Sequence, residues 1–183
     1  MSIHTRRSLT VLAAACAVAA VPSAALAEVA PPGDIPDNQA FVVQPGPGYS
    51  VKVPEGWART AKSGVLTFAD KYNSIQVRVT PTKKAPTVAS VTSKDVAMLK
   101  ASVKGFQVGL VSKITRPAGQ AILLTYRATS APNAVTGKTV TNDVERYIFW
   151  KKGKAAVLTL QAPKGSDNVD PWKLVTDSFT WAK

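Results

Sequence analysis

The sequence predicts an α+β domain built on an antiparallel sheet, and three observations carry that prediction. Apolar and polar residues alternate through residues 74–82, where Ile75, Val77 and Val79 fall on one side and Gln76, Arg78 and Thr80 on the other, the period of a strand with one buried face. Runs of this kind come in pairs joined by short polar turns, so neighbouring strands run antiparallel as hairpins. Two stretches instead place apolar residues at helical spacing: Val96, Leu99 and Val103 in the middle of the chain, and Trp172, Val175 and Phe179 near its end.

Each element has a local reason. Gln44-Pro45-Gly46-Pro47-Gly48 forms a turn that leads into a strand at residues 49–53, closed by Pro54-Glu55-Gly56-Trp57, with Trp57 in the core. Residues 65–70 and 74–82 pair around Lys71-Tyr72-Asn73, and Lys83, Lys84 and Pro86 end the second of them. Ser93 is expected to cap the first helix and Gly105 to stop it. Residues 106–115 and 120–129 form the next hairpin across Arg116-Pro117-Ala118-Gly119; the second strand is apolar on both faces around residues 122–126, which makes it central. Residues 130–142 are the longest polar stretch within the domain and are expected to be a plain connecting loop. Residues 143–150 and 154–162 give the clearest hairpin, turning at Lys151-Lys152-Gly153, with Ala156, Leu158 and Leu160 alternating against Val157 and Thr159. Asp170 is expected to cap the last helix, with Pro171 at its first position.

The N-terminus carries an export signal over residues 1–27: Arg6 and Arg7 supply the positive region, residues 9–20 the apolar stretch, and Ala25-Leu26-Ala27 the small-residue cleavage site before Glu28. The adjacent arginines also fit a twin-arginine route. Cys16 raises lipidation as an alternative, against which stand the continuing apolar run and Ala13 where a lipobox has leucine. Pro22 and Ser23 break the run short of the roughly 20 residues a membrane span needs, and no later segment is long enough. Residues 28–40, with three prolines and three acids, are expected to be a flexible tether, leaving residues 41–183 as a single domain.

Charge and composition then exclude whole classes of chemistry. The 183 residues hold 23 Lys and Arg against 11 Asp and Glu, a formal +12; removal of Arg6 and Arg7 with the signal leaves +10. His4 and Cys16 are the only histidine and cysteine and both leave with it, so imidazole-dependent nucleophiles and His or thiolate metal sites are not expected. Asp143 and Glu145, or Asp167 and Asp170, are the close carboxylate pairs from which a hydrolase would have to be built. The first pair fits a solvated strand start beside Arg146 better. Residues 166–170 offer oxygen ligands for calcium, but lack the alternation and terminal Glu of a calcium loop, and helix capping accounts for them. Nucleic acid is disfavoured because the basic residues are scattered and the protein is exported.

The segment Gln76-Val77-Arg78-Val79-Thr80-Pro81-Thr82-Lys83-Lys84 with the helix after it resembles the matching strand, Thr-Pro-Thr segment and helix of the PsbP-like family. The residue 49–57 strand with its Pro-x-x-Trp end, Phe68-Ala69-Asp70 with Asn73, the Gly153-Lys154 hairpin and Asp177-Ser178-Phe179 are similar in the same order, which covers nearly all of the mature chain. The resemblance implies a PsbP-like α/β/α sandwich, a central antiparallel sheet with helices on both faces. Its members include photosystem II subunits, a nuclear Ran-binding protein and exported actinobacterial lipoproteins of the LpqN type, and none implies a catalytic apparatus. The docking segment of the plant subunit has no counterpart in residues 28–40, and any role the family gives a histidine has no residue to fall on.

The function expected is therefore a non-catalytic binding or accessory protein of the cell envelope, monomeric and without cofactor or metal, whose basic surface meets an anionic lipid, wall polymer or acidic protein. Lys151, Lys152 and Lys154 at the hairpin tip, with Lys138 in the 130–142 loop, are the candidate binding residues. A photosystem II-associated subunit and a carboxylate-only hydrolase are the alternatives.

Overall fold

The computed structural model describes residues 33–133 and 136–182. The signal segment, His4, Cys16 and Glu28 lie outside the described residues. Strands β1 (Phe41–Gly46) and β2 (Tyr49–Pro54) form a hairpin, and β10 (Thr180–Trp181) joins β2 to make a three-stranded sheet. The remaining strands are β3 (Ala58–Lys62), β4 (Val65–Asp70), β5 (Asn73–Pro81), β6 (Gln107–Arg116), β7 (Gly119–Thr129), β8 (Thr141–Lys151) and β9 (Lys154–Pro163). They form one antiparallel sheet in the order β3-β4-β5-β9-β8-β7-β6. Joining the two hairpin series through β5 and β9 puts the β8–β9 hairpin at the centre.

The large sheet is covered differently on its two faces. On one, Phe68, Ile75, Val77, Leu123, Phe149, Leu158 and Leu160 pack against β2 and against Val175 of the C-terminal helix (Val169–Ser178). Phe179 anchors this layer, with the rings of Phe149 at 4.9 Å, Trp181 at 5.5 Å and Tyr49 at 5.7 Å. On the other, Ile122, Leu124, Tyr126, Val144 and Ile148 pack against Val91 and Leu99 of a helix that runs through residues 88–102. Strand β7 contributes to both cores by simple alternation, as its doubly apolar sequence requires. The expected sandwich needs correction on the first face, where a second sheet, with the C-terminal helix against β2, does the covering.

Other corrections are local. β1 contains Pro45 and Gly46, expected in a turn; as an edge strand of its sheet it tolerates the proline, which has no N–H to donate. β3 was not expected because all five of its residues are exposed and show no alternation. The long helix begins six residues before Ser93: Thr87 accepts from the Ser90 backbone N–H while the Ser90 hydroxyl accepts from the Thr87 N–H, a reciprocal cap. A π-helical stretch, Val91–Asp95, then passes into Val96–Ser102. Asn168, not Asp170, is the N-cap residue of the C-terminal helix, and its side chain turns away from the helix to bond residues 33–35. Asn168 accepts from the Ile35 N–H at 2.7 Å and donates to the Gly33 carbonyl, while Asp34 accepts from the Asp167 N–H. Ile35 is buried, so the part of the expected tether that is described is fastened to the domain.

Candidate functional site

The β8–β9 turn is the two-residue kind, with Lys152 at φ 47° and Gly153 at φ 78°, matching the right-handed twist of the strands it joins. Lys151 and Lys154 stand opposite each other at its base. The Gly153 carbonyl accepts from the Thr82 N–H at 2.8 Å, and the Trp150 indole N–H donates to the Thr82 carbonyl at 2.9 Å. These two bonds bring the segment carrying Lys83 and Lys84 to the same end of the sheet. Five lysines gather there, all exposed, and among the described residues none of them has an ion-pair partner. Sequence reasoning found three of the five; the other two depend on a contact between residues some 70 positions apart in the chain.

Beside this end lies a groove of 620 Å³, walled by Pro86, Val88, Ile122, Ile148 and Trp150, with Thr87, Lys113 and Gln120 as its polar members. Lys83 and Lys84 run directly into its rim at Ala85 and Pro86. Strand alternation turns Trp150 into the groove and sets Lys151 and Lys154 on the opposite face of the sheet. The lysines thus crown the end of the sheet, and the groove opens on one side of it.

Lys138 is at the other end. Its carbonyl accepts from the Asn133 N–H within a loop that also closes through Ser130 and Val140. The 11 residues of β8 separate that loop from the hairpin tip by roughly 33 Å at the usual strand rise. The structure does not bring Lys138 together with Lys151, Lys152 and Lys154.

Of the two candidate carboxylate pairs, Asp143 and Glu145 have partners, and Asp167 and Asp170 are exposed. Asp143 takes the Arg127 guanidinium at 2.9 Å and the Gly165 N–H. Glu145 accepts from the Tyr147 hydroxyl at 2.7 Å, and Arg116 donates to that same hydroxyl from the other side. Burial, then the hydrogen bond and charge of Glu145, push the Tyr147 phenol up to about 12. Arg116 also faces Asp177, which Lys173 bonds one turn earlier on the helix. Of the residues weighed for calcium over 166–170, Ser166 donates its hydroxyl to the Pro163 carbonyl and Asn168 bonds Ile35 and Gly33, while Asp167 gives its backbone N–H to Asp34 and the carboxylates of Asp167 and Asp170 are exposed. No cluster of three or more metal-ligating side chains occurs among the described residues.

No protein-family model matches the chain, and no curated protein matches its sequence. Solved structures do. The solution structure of cyanobacterial PsbP from Synechocystis sp. PCC 6803 has 16% identity, a TM-score of 0.50, and covers 88% of this chain and 99% of its own. The fold is PsbP-like. The LpqN protein of Mycobacterium tuberculosis, described as involved in cell envelope biogenesis, matches at 20% identity and a TM-score of 0.44 over 79% of this chain and 91% of that one. A Bacteroides thetaiotaomicron protein matches at 12% identity and a TM-score of 0.48; the chain spans 48% of that protein's length. No helix among the described residues is long and apolar enough to cross a membrane.

Proposed function

We propose that this PsbP-like protein is an exported, non-catalytic binding or accessory protein of the cell envelope that meets an anionic partner through the lysine end of its large sheet. The observation that supports it is the Thr82–Gly153 bond, which adds Lys83 and Lys84 to the Lys151–Lys154 turn. Five like charges in one place repel, add nothing to folding and raise the local attraction for anions. An anionic lipid surface is the partner favoured, because the apolar groove with Lys113 in its wall opens beside the same lysines. Asp143 and Glu145, one of the two carboxylate pairs a hydrolase could use, are held by Arg127 and Tyr147, and the mature chain has no imidazole to assist either pair. The likeness to cyanobacterial PsbP shows fold alone and gives a photosystem role no support of its own.

The test is binding to vesicles of phosphatidylglycerol and of phosphatidylcholine at low ionic strength. The double variant Lys151→Glu with Lys152→Glu should keep its melting temperature and bind the anionic vesicles about tenfold more weakly, the ~1.4 kcal/mol that two lysines near a charged surface supply. Raising salt to about 0.1 M, where the Debye length is about 10 Å, should shrink the difference. Unchanged binding in the double variant, or equal binding to neutral vesicles, would overturn the assignment.

A further inference from the structure

On the face of the large sheet that carries the long helix, the helix packs over β7, β8 and the Ala155 end of β9, and leaves β5 and the strands beyond it open. There Gln76, Arg78, Met98, Arg146, Val157 and Thr159 line a hollow of 220 Å³. Gln76 and Arg146 both stand opposite Thr159, so β5, β9 and β8 present them in one cross-strand row, and Arg78 lies opposite Val157 one step along. The two guanidinium groups therefore flank β9 from either side. Arg78 also shares its row with Lys62, through Val65 on β4.

The charges in this hollow are not balanced. The Arg146 side chain is only 19% exposed, its nearest carboxylate is Asp95 at 4.0 Å, and its Nε is buried without a hydrogen-bond partner. Arg78 has no ion-pair partner among the described residues. The positions of β3, β4 and β5 on this face, which include Thr60, Lys62, Thr67, Gln76 and Arg78, contain no acid. A buried guanidinium with an unfilled donor is costly, and bringing a second cation beside it adds to the cost. Burial and the Arg78 charge both push the Arg146 pKa down, against Tyr126 and Asp95. One carboxylate at the limit of contact leaves the pair short of negative charge.

We propose that this hollow is a binding site for a small oxyanion of the phosphate class, clamped between Arg146 and Arg78 with Gln76 and Thr159 as neutral donors. The planar fork of arginine suits a tetrahedral oxyanion, and arginine is favoured over lysine where such a group is held by several donors. The volume equals the space of about seven waters in the liquid, enough for one phosphate group and part of what it is attached to. This site is separate from the lysine end and does not rest on the lipid-surface reading.

Calorimetric titration of the folded chain at fixed ionic strength tests it, with inorganic phosphate and glycerol 3-phosphate as probes. One saturable site is expected, weakened about tenfold or more by Arg78→Gln, whose exposed side chain can be changed without loss of fold, and by Arg146→Gln. Lys151→Glu with Lys152→Glu should leave it unchanged. Tighter binding of glycerol 3-phosphate assigns the natural ligand to phosphate monoesters, and equal binding to free phosphate. Absence of saturation below about 10 mM, or binding that survives both arginine variants or vanishes only in the lysine variant, would overturn the proposal.

Discussion

One face of the large sheet is divided between two surroundings. Under the long helix, β7 and β8 show Ile122, Leu124, Val144 and Ile148, all buried. On β4 and β5 the equivalent positions hold Thr67, Gln76 and Arg78, partly or fully exposed. The backbone ladder is continuous across both halves, so hydrogen bonding does not distinguish them. The side chains were selected by what they meet, and a single-faced strand such as β5 marks where the covering ends.

This contrast predicts the largest effect. Leu124 is fully buried, and Leu124→Ala should lower stability by about 2–5 kcal/mol, lost transfer energy plus the cavity left behind. Gln76→Ala, on the same face three strands away, should change it by no more than about 0.5 kcal/mol. Denaturant unfolding of the two variants measures both. Similar losses would mean that the open half is covered in solution, by a partner or a second copy.

The division was legible where burial writes itself into alternation. Strands β4, β5, β7 and β9 fall within a residue or so of the positions their apolar periods require, and β7's double-sided apolar run marks it as central. Elements that bury little left no such trace: β3 is exposed throughout, and the first turn of the long helix, Val88–Ser90, has no buried residue. Its cap uses Ser90 where the familiar box has Glu or Gln, so the sequence carries no familiar start signal there and Ser93 reads as the cap. The site was less legible still. Lys151, Lys152 and Lys154 are adjacent in the chain, but Lys83 and Lys84 join them through a bond between strands, and Arg78 and Arg146 meet only through the register of β5, β9 and β8.

The start of the covering helix gives the next contrast. Thr87→Ala removes the acceptor for the Ser90 N–H and should cost about 1 kcal/mol. Ser93, inside the π-helical stretch with its hydroxyl 3.4 Å from the Ser90 carbonyl, should be replaceable by alanine within about 0.5 kcal/mol. The reverse ranking in a thermal melt would move the helix start back to Ser93 and uncover the groove wall formed by Pro86 and Val88.

The last contrast is silent at neutral pH and emerges on alkaline titration. The two cores hold tyrosines: burial raises the phenol pKa values of Tyr49, Tyr126 and Tyr147, the last to about 12, whereas the open half presents Arg78 and Arg146. A folded-state pKa above the ordinary value of 10.0 means that between these values the folded chain keeps a proton that the unfolded chain releases. The stability that this proton represents is whole below pH 10 and falls as pH rises toward 12. Unfolding free energy measured at intervals across that range should therefore decline, and Tyr147→Phe, which has no phenol to ionise, should decline less steeply even though it begins lower for want of the Glu145 and Arg116 bonds. Equal slopes in the two proteins would show that the Tyr147 hydroxyl reaches water, and that the layer formed by β2 and the C-terminal helix covers its face less completely than the long helix covers the other.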